Sequence, residues 1–472
     1  MRDSVVRLSE VEICNFKNVR HGKIVFSNRR KEFRANVLGL YGQNGSGKTA
    51  LIEALDLLKT LLQGKSVAKE MVNHVNVDAD FARLKYGFNV HTPLGDYEAS
   101  YEFSLRKAKD TSSHNIDTPD EPDEKRPKAE IFDECLSYSF TGEGVSARKS
   151  VLIDTHTDEV FLPAAKYSLL IGGGKQEETN LLVAKKLAVT NSCSFIFSKE
   201  FLGTVRSRKH ERGVDAEFVR HLTLLENLAV YGNRELFVIK TRESGLISLH
   251  GLPLVLKYEG EHSSAFGTLY MRLNEPFDIP KESAELVREI ISGMNIVLQQ
   301  IVPGLTIGMV ELGEHLTQQG AIAVSVQMVS HKNGKDIPLE YESEGIKKII
   351  AILQLLIVVY NEPSITVAVD ELDSGIFEYL LGEILRIISE KGKGQLIFTS
   401  HNLRPLETLD RGFIAFTTTN PDNRYIRMTN IKDSNNLRDF YYRDIVLGEQ
   451  NEEVYKPTNN AEIALAFREA ME

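Results

Sequence analysis

The segment GQNGSGKT at residues 42–49 sets Gly42, Gly45, Gly47, Lys48 and Thr49 in the full phosphate-loop spacing. Glycines let backbone N–H groups wrap phosphate oxygens, the lysine reaches the terminal phosphates, and the hydroxyl after it suits a hydrated Mg2+. Gln43, Asn44 and Ser46 fill the rest of the loop and are counted with it as nucleotide-binding. Far along the chain, VAVDELDSG ends an apolar run in two adjacent acids, Asp370 and Glu371. The first suits the metal shell, together with Thr49, and the second suits polarising a water for attack. QLIFTSHN repeats the design, and its His401 is read as a contact to the terminal phosphate. A metal clamp beside a base points to hydrolysis of ATP with Mg2+ rather than passive binding, with Glu371 and His401 as the catalytic pair.

Those residues need elements to hold them. NVLGLY, before the loop, reads as a buried strand, and TALIEALDLLKTLL, after it, as an amphipathic helix. Residues 5–26 alternate as a strand pair, and residues 84–105 read as a hairpin about Pro93 and Gly95. Residues 106–130 carry dense charge with little to bury and read as a flexible loop. Strands are expected at 131–140 and 150–161, and helical periodicity dominates 164–303, broken by a strand-like piece at 252–258. The last third alternates again: a strand at 321–329, a helix from Glu344, a strand at 365–369, a helix from Ser374 and a strand at 395–399. Alternation of this kind predicts an α/β fold, a parallel sheet with its ligand at the strands' carboxyl ends. The expected division is residues 1–163 and 304–472 as two parts of one ATPase head, with 164–303 as a mainly helical insert.

The helix from Glu344 starts at YESEGIKK. Ser343 is placed to cap it, Gly345 allows close backbone approach, and its N-terminus is an anion site. Composition narrows the partners. A chain of 472 residues with net charge −10 does not offer nucleic acid a basic surface overall. The run RSRKHER is the densest basic one; it reads first as a solvated helix end, with Arg206, Arg208 and Lys209 as candidate contacts to nucleic acid or an acidic partner. No apolar run is long enough to span a bilayer, and no signal-like start is present, so a cytoplasmic protein without a membrane partner is expected. Three widely spaced cysteines, Cys14, Cys135 and Cys193, form no metal-ligand spacing and no disulfide framework and are read as ordinary reduced thiols.

Taken together, GxNGSGKT with Asn44, the Ser-Glu-Gly helix, Asp-Glu-x-Asp and the strand-end histidine resemble the ABC-type ATPases of the SMC and RecF branch. That resemblance implies an ABC/SMC-type P-loop head, a mixed sheet with flanking helices plus an antiparallel β lobe. It also implies two copies that sandwich ATP, Ser343 and Gly345 reaching the partner's γ-phosphate and Asp373 lying at the seam. NFKN is similar to the branch's short N-terminal motif, which puts Phe16 and Lys17 near the nucleotide. The compact set S-E-G, D-E-L-D-S and T-S-H-N resembles bacterial anti-phage defence ATPases of the overcoming-lysogenization-defect and abortive-infection type. Three departures matter. ESEGIKK is not the L-S-G-G-Q of transporters, a glutamine loop has no assigned position, and no TOPRIM-like acidic set follows Asn402. The expectation is therefore a sensor or scaffold ATPase that works with a second copy of itself and a separate effector, a nuclease or toxin. The alternative is a RecF-like repair ATPase that binds DNA directly.

Overall fold

The structure is a computed structural model, and it describes residues 4–26, 36–108, 128–142, 144–209, 215–240, 252–260, 263–273, 275–317, 320–332, 334–428, 436–448, 450–456 and 458–470. Most of the loop expected at 106–130 lies outside them, as does the end of the basic run.

A six-stranded sheet forms the centre, in the order Tyr425–Ile426, Ile414–Thr417, Asn36–Tyr41, Gln395–Thr399, Thr366–Val369, Leu236–Ile239. All neighbours are parallel except the first pair. The strands are apolar on both faces because both are covered, as parallel sheets require. Leu38, Leu40, Ala368, Ile397 and Ala415 face one core, while Val37, Tyr41, Val367, Val369, Leu396 and Phe398 face the other. The period-2 alternation thus divides two hydrophobic layers rather than core from solvent.

On the first face lies the helix Lys48–Leu62, buried by Leu51, Leu55, Leu58 and Leu62 and also by Ile52, Leu57 and Leu61. Glu53, Asp56, Lys59 and Thr60 are its half-buried polar side, and the wide apolar remainder needs cover. Here the cover is a six-stranded antiparallel sheet, ordered Val19–Val25, Val5–Phe16, Phe81–Thr92, Gly95–Lys107, Ala129–Gly142, Val145–Asp154. Tyr86 of that sheet donates its hydroxyl to the Ala54 carbonyl of the helix at 2.7 Å. The helices Ala164–Leu170, Lys175–Thr190, Lys199–Arg208 and Ala216–Val230 pack into the same core. Against the opposite face pack the helices Lys281–Ile301, Glu344–Asn361 and Glu378–Lys391.

Residues 164–303, expected as a mainly helical insert, hold five α-helices among the described residues and also supply strands. Leu236–Ile239 runs as a strand of the central sheet beside Thr366–Val369. Leu252–Gly260 and Ser263–Met271 form a hairpin, and Phe277–Pro280 pairs with Ile322–Lys332 across the expected boundary. The apolar run LFVI follows a helix directly, and four residues carry too little periodicity to separate a strand from one more helical turn. The helix expected from Ser374 begins only at Glu378. Gly375 takes a left-handed φ of 76°, which ends the turn after Asp373 before a helix can start.

Gln395 is one of the side chains that bond the antiparallel sheet to the central one. Gln395 accepts the Leu8 N–H at 2.8 Å and returns its own amide to the Leu8 carbonyl at 2.8 Å. The Thr366 hydroxyl donates to the same Gln395 oxygen at 3.1 Å, and all three residues are buried. Gln395→Ala would strand a buried backbone pair and a hydroxyl, at about 1–3 kcal/mol for each group left unpaired. The expected outcome is a fall of several degrees in the thermal unfolding midpoint followed by circular dichroism, with Gln395→Glu intermediate.

Candidate active site

The strand Asn36–Tyr41 delivers Gly42, and the loop closes at Gly47, which caps the following helix in the left-handed region. Gly42, Gly45 and Gly47 have φ of 149°, 75° and 93°, values that side chains other than glycine rarely take. At Gly42 there is a second reason: a Cβ would lie 1.8 Å from the Thr417 hydroxyl. Thr417 donates to the Tyr41 carbonyl at 3.2 Å and also bonds the Ser46 hydroxyl, so the neighbouring strand end braces the loop. Behind it, Tyr425 donates to the Gly47 carbonyl at 2.9 Å. The Arg424 guanidinium spans the Thr418 carbonyl at 2.6 Å and the Asn18 carbonyl at 2.7 Å, and the Asn18 amide bonds the Gly45 carbonyl.

The loop, the acids and the histidine open onto one cleft of about 440 Å³, lined by Lys48, Thr49, Asp370, Glu371, Thr399 and His401 together with Lys17, Asn18, Asn44, Gly45 and Gly47. Topology explains the meeting. Asn36–Tyr41, Gln395–Thr399 and Thr366–Val369 are adjacent and parallel, so their carboxyl ends emerge side by side. The Thr399 hydroxyl donates to Asp370 Oδ1 at 2.6 Å and accepts the Glu371 N–H at 2.7 Å. Glu371 has φ of 51°, unusual for its type, and its carbonyl accepts Lys348 Nζ at 2.8 Å. Asp373 Oδ2 accepts the N–H groups of His401 at 3.1 Å and Asn402 at 2.9 Å, which fixes the histidine's backbone against the acidic loop.

Lys48 is buried, and its ammonium donates to the Gly42 carbonyl at 2.7 Å and the Gln43 carbonyl at 3.1 Å. Burial holds its pKa below the ordinary lysine value, with Asp370, Glu371 and Asp373 pulling the other way. Burial pushes Lys348 down to about 8, again against those three acids. A hydroxyl (Thr49) and a carboxylate (Asp370) facing one cleft form a hard oxygen donor set, which suits Mg2+.

The remaining candidates fall elsewhere. Phe16 does not reach the cleft: it is fully buried and packs edge-on to His74 with ring centroids 5.5 Å apart. Its apolar ring belongs to the core, while the turn after it carries Lys17, paired with Glu53, and Asn18 into the cleft. The side chains of Gln43 and Ser46 turn away, Gln43 accepting the Lys456 N–H at 3.1 Å. Ser343 is exposed outside its own chain's cleft, where it accepts the Ile346 N–H at 3.4 Å as helix cap. A Cβ on Gly345 would lie 2.4 Å from the Gly375 carbonyl oxygen, so only glycine allows the helix start to rest on the acidic loop. Arg206, Arg208 and Lys209 end the helix Lys199–Arg208 away from the cleft, and Arg206 is 3.2 Å from Glu226.

Sequence reading missed Thr399, Thr417, Arg424, Tyr425 and Lys348, whose roles rest on contacts with distant parts of the chain. Only Thr399 left a signal, as the last residue of the strand before His401. The expected cysteine reading also misses a grouping: Glu12, Cys14 and His21 bring their polar atoms within 4.8 Å of one another, because hairpin register sets Cys14 opposite His21. Cys14 is held above the ordinary thiol pKa by burial first and then Glu12, which keeps it protonated. Among the described residues no helix is long and apolar enough to cross a membrane.

Thr399→Val keeps shape and removes the hydroxyl. Asp370 and the Glu371 N–H then lose a buried partner, and ATP turnover is expected to fall on the order of tenfold, about 1.4 kcal/mol in the barrier. Steady-state phosphate release checks this; wild-type turnover by the valine variant would show that the hydroxyl does not set the acids.

Residues 7–136 match the family model described as an AAA ATPase domain. No curated protein matches the chain. Among solved structures, the SMC head domain from Thermotoga maritima is 14% identical, covering 89% of this chain and 99% of its own, with a TM-score of 0.36. A Smc head with an extended coiled coil bound to the C-terminal domain of ScpA, derived from Pyrococcus furiosus, is 12% identical, covering 90% and 96%, with a TM-score of 0.38. The recombination mediator protein RecF, in its RecF-ATPrS structure, is 12% identical, covering 90% and 98%, with a TM-score of 0.37. Likenesses this loose leave the fold to be argued from the sheet order above. The family match sets an ATPase domain over the segment that carries Lys17, Asn18 and the whole phosphate loop.

Proposed function

We propose that the chain is an ATP-hydrolysing switch of the SMC and RecF kind that closes as a dimer. One observation carries the reading: the clamped pair Asp370 and Glu371 faces Lys48 and Thr49 across a single cleft. A passive nucleotide binder needs the loop but not a carboxylate set for water beside it. When ATP enters, the Lys48 ammonium exchanges two loop carbonyls for phosphate oxygens, a stronger charge-assisted pairing. Glu371 accepts the proton of the attacking water, and His401 contacts the phosphate that leaves. Mg2+ held by Thr49 and Asp370 would neutralise phosphate charge.

The dimer reading is supported by the helix start at Ser343, its cap, and Gly345, which do not line their own chain's cleft. An exposed helix start is an anion site, and a second copy's ATP fits it. The role in anti-phage defence rests on the resemblance of the compact motif set, with a separate nuclease or toxin as effector. The net charge of −10 favours that reading over direct DNA binding of the RecF kind.

Lys48→Ala is expected to lose about 2–3 kcal/mol of charged hydrogen bonding, roughly 30- to 150-fold in Kd for ATP by calorimetry. Glu371→Gln should bind ATP normally, turn over about 100-fold slower or less, and accumulate as an ATP-dependent dimer in light scattering. Normal hydrolysis by Glu371→Gln would remove its role as base, and a monomer at saturating ATP would remove the dimer. Duplex DNA binding that weakens steeply with salt would move the reading to the repair class.

A further inference from the structure

We propose that Lys348 is a positioning residue that ties the partner-facing end of its helix to the hydrolytic carboxylate Glu371. The inference rests on the proposed function and names a residue which that reading did not contain. Lys348 is buried, and its ammonium donates to the Glu371 carbonyl at 2.8 Å. The Glu371 N–H is held independently by Thr399 at 2.7 Å. Both peptide groups of Glu371 are thus fixed from outside its own loop, one from a strand end and one from the helix Glu344–Asn361.

That double hold has a reason. Glutamate at φ 51° sits in the left-handed region, where an ordinary side chain costs about 1–2 kcal/mol. Such a conformation persists only when the surroundings over-determine it. The Glu371 carbonyl also accepts the Ser374 N–H of its own turn at 3.1 Å. Without Lys348 only that bond within the loop holds it, so the backbone relaxes toward ordinary φ and the carboxylate moves off the line of attack. The charged groups that face Lys348 are Asp370, Glu371 and Asp373, so the ammonium also balances the acids it positions.

The same helix meets the acidic loop a second time. Gly345 lies against the Gly375 carbonyl, closely enough that any side chain would collide. Ser343, the cap, stands about one and a half turns before Lys348, roughly 7 Å along the axis. A ligand that seats on the cap therefore pushes on a rigid helix that is tied, through Lys348, to the Glu371 carbonyl. Lys348 is how a contact made with a second copy sets the base in this one.

The test uses the full chain, ATP with Mg2+, and the variants Lys348→Met and Lys348→Arg, each alone and combined with Glu371→Gln. The methionine variant is expected to bind ATP within about threefold of wild type and to lose about tenfold or more in kcat at unchanged KM. Arginine should restore part of the rate. In the Glu371→Gln background the methionine change should cost nothing further, because the two residues act as one unit. Lys348→Gln, which keeps a donor, replaces the methionine variant if that one does not fold. A wild-type kcat, a loss confined to KM, or losses that multiply across both backgrounds would overturn the proposal. A wild-type chain without ATP turnover would overturn the function reading as well, and is recognisable without any variant.

Discussion

The Thr399 hydroxyl is the point on which the site turns. It donates to one acid's carboxylate and accepts the backbone N–H of the next, so a single buried oxygen sets two consecutive residues. Buried polar groups that lose such a partner cost far more than the bond gains in water. The geometry of Asp370 and Glu371 is therefore a property of the neighbouring strand as much as of their own. That neighbour must lie between the phosphate-loop strand and the acidic strand, and the parallel order of the sheet puts it there.

Around this centre, each moving part is held from a distant segment. The phosphate loop is braced from outside by Thr417 and Tyr425, in addition to the bonds Lys48 makes within it. Arg424 links that brace to the turn at Asn18, which joins the antiparallel sheet to the cleft. Gln395 performs the same joining at the far end of its strand, through Leu8. The antiparallel sheet is thus part of the ATPase unit: it covers the helix Lys48–Leu62 and lends Lys17 and Asn18 to the cleft.

The opposite face of the sheet gives the site its outward connection. The helix Glu344–Asn361 is buried along most of its length, yet its capped start is exposed. Two of its lysines are buried, Lys347 on the Glu340 carbonyl and Lys348 on the Glu371 carbonyl. Burying two ammonium groups within one turn opposes folding unless each finds a partner, and here both partners are backbone carbonyls. The arrangement binds the helix start to its surroundings on either side.

Much of this was legible from residue order alone. The phosphate loop, its flanking strand and helix, the acids at a strand end, the capped helix at Glu344 and the strand ending at Thr399 are local patterns. Periodicity, capping chemistry and glycine requirements express them within a few residues. What the tertiary structure decided is of another kind. Leu236–Ile239 became a strand because Thr366–Val369 offers it an edge more than a hundred residues away. Phe16 went into the core because His74 and the antiparallel sheet enclose it, leaving the next two residues to face the cleft. Thr399, Arg424, Tyr425 and Lys348 gained their roles from partners that no local window contains. The sequence by itself marked the candidate residues for the chemistry, since that depends on side-chain type and short spacing. Only the tertiary structure decided which groups aim them, because hydrogen bonds between distant segments exist only once the sheet has been assembled.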